Sequence, residues 1–224
     1  MEWSSVAPGA FVVLDVVSLA LAGAVALFFW RTHRLVPDAG YAVLASAFAV
    51  LGLSYLTIGA SEFDLIDPGA AIVDAARVGG QFLGVALIFL NYASRFFNLD
   101  RRFLTVASRA LAAVAVVYLV IYVAPPAFEL PDPRSYLGTL RFLEFMLLAA
   151  AAGLVAVGVS GRRFADFAVP AAFLLLAVSK YTWAMIAWFG VDDAVPLPYL
   201  WRLAALGILL VVVARAGGGP RAEA

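Results

Sequence analysis

The 224-residue chain contains no cysteine, one histidine and one lysine. Without cysteine there is no disulfide, no thiolate nucleophile and no cysteine-ligated metal. The single histidine, His33, is expected in a loop, which excludes a bis-histidine haem inside the fold. Charge is also scarce. Only 13% of residues are Asp, Glu, Lys or Arg, against about a quarter in a typical soluble domain. The 15 basic and 15 acidic residues cancel, so no nucleic-acid partner is expected, because that binding rests on a surplus of cations. No polar stretch is long enough for a soluble catalytic or signalling domain. Neither a cofactor nor a metal is expected.

Apolar residues dominate instead. They make up 65% of the chain, and the mean hydropathy is +0.99. A helix crossing the hydrocarbon core needs roughly 20 apolar residues. Seven stretches qualify, at 10–30, 41–60, 70–92, 103–124, 136–160, 164–190 and 196–214. The expected fold class is therefore an all-α integral membrane protein, a seven-transmembrane helix bundle occupying residues 1–215 as one domain. Residues 216–224 are expected to form a disordered cytoplasmic tail. Glu2 and the long apolar run that follows argue against reading the first helix as a cleavable signal peptide.

Arginine placement orients the bundle, because cytoplasmic loops are enriched in Arg and Lys. Arg31 and Arg34 follow the first predicted helix, Arg95, Arg101 and Arg102 the third, Arg162 and Arg163 the fifth, and Arg215 and Arg221 the seventh. The alternate loops are acidic, with Glu62, Asp64 and Asp67, then Glu129 and Asp132, then Asp192 and Asp193. Only Arg134 departs from the alternation. The expected location is a cell membrane, multi-pass, with the N-terminus outside and the C-terminus inside.

The first three and last three helices share this direction, and their middle helices look alike. Tyr41-Ala-Val-Leu-Ala matches Phe167-Ala-Val-Pro-Ala, and Ser54-Tyr55 answers Ser179-Lys180-Tyr181. Arg77 and Arg202 then fall on the second turns of the third and seventh helices. Two readings stand. One is a parallel 3+1+3 repeat with the fourth helix as linker, an arrangement found among transporters. The other is chance likeness between helices rich in Ala, Val and Leu.

Ionisable groups within a bilayer cost about +2.5 to +3.5 kcal/mol each at the helix centre, so those present mark a candidate site. Asp15, Asp74, Arg77, Arg141, Glu144, Lys180 and Arg202 all fall in the outer half of the expected bundle. Asp74 with Arg77, and Arg141 with Glu144, are three residues apart and can meet on one helix face. Gln81 extends the Arg77 stripe by a turn, and Trp183 lies at similar depth. Gly80 and Gly84 form a GxxxG surface for close helix packing. By depth, Asp15 or Glu144 is the expected partner of Lys180. Three carboxylates face four cations, and a bound anion, water or a neutral lysine would relieve the surplus. The alternative is structural: interhelical salt bridges, with Asp15 and Arg202 near enough to helix ends to snorkel. Pro170 is expected to kink the sixth helix or loosen its backbone. Arg109 is expected to snorkel to the headgroups, and Tyr118 and Tyr122 to belong to the interfacial belt.

These residues suggest a non-catalytic protein with an outward-facing polar pocket. It would bind or sense a small polar or anionic ligand from outside and signal to a cytoplasmic protein partner at the basic inner loops. A small-solute transporter or channel is the second reading. The inner half, nearly bare of polar groups, counts against it. The Pro near the middle of the first and fifth helices of SWEET-like sugar transporters is also missing here. A third reading is retinal binding. Lys180-Tyr-Thr-Trp183 to Trp188, then Val195-Pro-Leu, loosely resembles the last two helices of microbial rhodopsins, which implies a lysine-linked chromophore. Those proteins carry that lysine on the seventh helix, which has no lysine here. An enzyme is not expected, since intramembrane hydrolysis requires an activated nucleophile or a metal site. Only a carboxylate–lysine mechanism on lipid remains as a catalytic route.

Overall fold

A computed structural model of the chain describes residues 8–62, 71–123, 136–159, 167–190 and 195–217. Among the described residues there are seven helices and no strand. They are α1 (Pro8–Leu35), α2 (Ala39–Glu62), α3 (Ala71–Phe96), α4 (Arg101–Val123), α5 (Leu137–Gly158), α6 (Ala168–Phe189) and α7 (Pro196–Gly217). The shortest has 22 residues, about 33 Å at 1.5 Å per residue, enough to traverse a hydrocarbon core about 30 Å thick. Six of the seven are also apolar enough to cross a membrane. The exception, α3, carries Asp74, Arg77, Gln81 and Asn91 along its length.

The distribution of side chains is that of a protein solvated by lipid. Val106, Val114 and Val120 on α4 are exposed, as are Trp30, Leu53 and Leu200 elsewhere. Meanwhile Asp15, Arg141, Glu144, Lys180 and Arg202 are buried. Lys, Glu, Arg and Asp are almost never fully buried unless paired, and each of these is paired, while apolar side chains cover the outer faces. The protein is a helical, membrane-embedded bundle.

Neighbouring helices pack in the order α1, α2, α3, α5, α6, α7, and α7 returns to α1. This closes a ring of six. α4 lies outside it, against α3 with a smaller contact to α2. The α2–α3 contact uses the Gly80/Gly84 surface read from the sequence. A Cβ on Gly84 would come 2.5 Å from Leu51 Cγ and 2.9 Å from the Ala47 carbonyl oxygen, so only glycine permits this approach. α4 is fastened by Tyr118. Its ring lies over Gly79, and its hydroxyl is 2.7 Å from that of Tyr136. Tyr118 is thus a packing residue rather than a simple belt residue. Tyr122 has no described side chain, and Arg109 is exposed.

The core is mainly apolar. Phe48, Ile88, Leu148, Phe173 and Leu206 are all essentially inaccessible. They run from the middle of the bundle into the half that holds the ends of α1, α3, α5 and α7, where Asn91 and Ser94 of α3 are buried as well. The same end of the bundle carries Arg34, Arg95, Arg101, Arg102 and Arg215. Asp38 organises one corner of it. Its carboxylate accepts from the Gly40 amide at the start of α2 (2.8 Å) and pairs with Arg95 at 3.4 Å.

Several expectations are corrected. α1 continues through Leu35, so His33 is helical rather than in a loop, and its Nδ1 lies 2.9 Å from the Asp38 carbonyl oxygen. Arg31 and Arg34 are likewise on the last turns of α1, and Arg95 on the last turn of α3. Apolar counting stopped at the first charges, but a helix end can project basic side chains past the hydrocarbon. α7 runs to Gly217, two residues into the expected tail, whose remainder lies outside the described residues. Pro170 sits in the first turn of α6. There its missing N–H would have no intrahelical acceptor, so it introduces no kink. The expected loops at 61–69, 125–135 and 191–195 lie largely outside the described residues.

Candidate functional site

A cavity of about 270 Å³ lies inside the ring. Its depth follows from the wall residues. Phe11, Arg77, Leu137 and Tyr199 are near the starts of α1, α3, α5 and α7, while Tyr55 and Trp183 are near the ends of α2 and α6. It therefore occupies the end of the bundle opposite the Arg-rich end.

Two ionic groups hold its walls. On the α3–α5 side, Arg141 Nη1 donates to both oxygens of Glu144, at 2.9 and 2.8 Å. The two residues are one turn apart on α5, which points both side chains the same way. Lys180 from α6 reaches the same carboxylate, with Nζ 2.8 Å from Oε2. The Gln81 side-chain oxygen accepts from Arg141 Nη1 and from Lys180 Nζ. Two cationic donors on one amide oxygen fix its orientation, so the Gln81 NH₂ is directed elsewhere as a donor. Glu144 itself is completely inaccessible.

On the α1–α7 side, Arg202 Nη2 donates to Asp15 Oδ1 at 2.6 Å. The Arg202 guanidinium also lies between two tyrosine rings, 4.3 Å from the Tyr55 centroid and 4.6 Å from that of Tyr199. Ring faces are negative and attract a desolvated cation. Phe11 and Trp183 each pack on Tyr199, with centroids 5.2 and 5.8 Å apart. Ser179 ties α6 to α7 by donating to the Pro198 carbonyl at 2.8 Å.

Of the nine residues singled out from the sequence, Arg77, Gln81, Arg141, Lys180, Trp183 and Arg202 line the cavity together. Asp15 and Glu144 are buried and grip the wall cations without lining the wall themselves. Asp74 is on α3, but its side chain lies outside the described residues. Asp15 and Arg202 face the interior and pair, so they do not snorkel. Between the two candidate partners of Lys180, the structure selects Glu144.

No protein-family model, curated protein or solved structure matches this chain. Tyr55 and Tyr199 belong to the site but were not among the candidate site residues read from the sequence. The spacing Tyr199–Arg202, one turn on one face, was the available signal for the stacked ring. Leu137, Leu176 and Val195 complete the wall and carry no sequence mark distinguishing them from lipid-facing residues. As described, the wall contains three arginines, a lysine and an amide donor, and no carboxylate. Such a surface can hold an anion by several charge-assisted hydrogen bonds.

Proposed function

We propose that this is a seven-span membrane protein, N-terminus outside and C-terminus inside. Its cavity opens outward and binds a small anionic ligand, and its occupancy is sensed by a partner on the cytoplasmic side. The observation that carries the reading is the sorting of charge at the cavity. Cations and donors form the wall, and the described acids stand behind them. Orientation rests on the clustering of Arg34, Arg95, Arg101, Arg102 and Arg215 at the opposite end, which the positive-inside rule assigns to the cytoplasm. Those residues are also the natural contact for an acidic cytoplasmic partner.

Sensing is favoured over conduction by the packing beneath the cavity. Phe48, Ile88, Leu148, Phe173 and Leu206 form a mainly apolar floor, interrupted toward the Arg-rich end by the buried Asn91 and Ser94 of α3. Transport is the second reading, and one observation favours it. In a parallel 3+1+3 repeat, a twofold axis would exchange the α1–α7 contact with the α5–α3 contact and leave α4 outside. The helix neighbours follow that pattern.

Reconstitution separates the two. Vesicles holding the purified protein would be offered a mixture of small anions, with thermal stability measured in parallel. A ligand that raises the unfolding temperature without accumulating supports sensing. Saturable uptake abolished by Lys180→Ala or Arg77→Ala supports transport. If no anion stabilises the protein and both substitutions only lower its stability, the charges are structural and the binding reading fails.

A further inference from the structure

The two sides of the cavity differ in chemistry, and the ring order places them opposite each other. Helices follow α1, α2, α3, α5, α6, α7, so the α3–α5 seam faces the α7–α1 seam across the cavity. The α3–α5 seam supplies Arg77, Gln81 and Arg141, with Lys180 beside them from α6. The α7–α1 seam supplies Tyr199 and Phe11, with Trp183 beside them from α6. Arg202 on that second side pairs one-to-one with Asp15 and lies against Tyr55 and Tyr199, its Nε buried without a hydrogen-bond partner. One wall is therefore rich in donors, and the other sets aromatic rings around a single paired arginine.

Size and charge narrow the occupant further. A cavity of about 270 Å³ has room for a small organic molecule. An inorganic anion would fill only a fraction of it and leave the aromatic wall facing water. Among the described side chains, the cations Arg77, Arg141, Lys180 and Arg202 outnumber the carboxylates Asp15 and Glu144. An anionic group on the ligand offsets that imbalance.

Resting on the anion-binding reading above, we propose that the ligand is an amphipathic monocarboxylate with a compact aromatic body. Its carboxylate meets Gln81, Arg141 and Lys180, and its ring packs among Phe11, Trp183 and Tyr199. Planar carboxylates suit a guanidinium and an amide NH₂ side by side, and aromatic rings prefer tilted or edge-on contacts such as those these residues already make with each other.

Isothermal titration of the full chain in detergent tests this with phenylacetate, acetate, 2-phenylacetamide, chloride and inorganic phosphate. The expected result is that phenylacetate binds about tenfold or more tightly than acetate, the equivalent of burying the ring. It should exceed 2-phenylacetamide by at least a similar factor, since the amide has the same shape without the charge. Phe11→Ala, outside both ionic groups, should narrow the gap between phenylacetate and acetate by weakening phenylacetate. If acetate, chloride or phosphate binds as tightly as phenylacetate, the aromatic-acid class is wrong while anion binding stands. If 2-phenylacetamide binds as tightly as phenylacetate, or nothing binds, both the class and the anion-binding reading fall.

Discussion

At the α1–α7 seam one carboxylate meets one guanidinium, and two tyrosine rings lie against that guanidinium. At the α3–α5 seam one carboxylate serves two cations, and a neutral amide oxygen joins them. The first arrangement balances one charge against one, and Asp15 Oδ2 and Arg202 Nε stay buried without a hydrogen-bond partner. The second shares one carboxylate between two cations, so it is the group with excess positive charge. A one-to-one pair explains how a charge survives inside a membrane bundle. A cation-rich group at a cavity wall has a use for an anion.

The largest effect should come from Glu144. Glu144→Ala leaves both Arg141 and Lys180 buried without a carboxylate, and breaking a buried ion pair costs about 3–5 kcal/mol. Unfolding in detergent should show a loss of that size. Asp15→Asn is expected to cost less, about 1–3 kcal/mol, because Arg202 keeps both ring faces and an amide acceptor. Anion affinity should survive in Asp15→Asn. If that variant loses binding while remaining folded, the two seams do not divide structure from recognition as described.

Gln81→Leu sharpens the comparison from the other side. Arg141 and Lys180 remain on Glu144, so the fold should persist, but a donor facing the ligand is lost. Affinity for the bound anion should fall about tenfold in a titration, the value of one hydrogen bond to a charged group. The smallest effect is expected from Tyr199→Leu. Removing one of two rings over Arg202 should lower stability by about 1 kcal/mol, measured by the same unfolding experiment.

The helical, membrane-embedded architecture was legible because hydropathy alone sets it, and Gly80 and Gly84 announced their packing because spacing along one helix is local information. The Arg141–Glu144 pair was legible for the same reason. The Asp15–Arg202 pair was not. Its members are 187 positions apart, and their nearness to helix ends pointed to the headgroups instead. Only the closure of the ring, α7 onto α1, turns them toward each other. Pro170 misled because its effect depends on where the helix begins, and two residues separate a first-turn proline from a kink. Depth narrowed the partner of Lys180 to Asp15 or Glu144 but could not choose between them, since depth is shared by every helix in the bundle and direction is not.

The central claim is that a polar cavity opens to the outside above an apolar floor. The absence of native cysteine makes that directly measurable. Single cysteines would replace Leu137, in the cavity wall, and Leu209, in the packed half. A membrane-impermeant thiol reagent would then be added to right-side-out or inverted vesicles. Leu137→Cys should react only from the outside, and more slowly with an anion bound, while Leu209→Cys should react from neither side. Reaction of Leu137→Cys only from the inside, or of Leu209→Cys as readily as Leu137→Cys, would contradict the account.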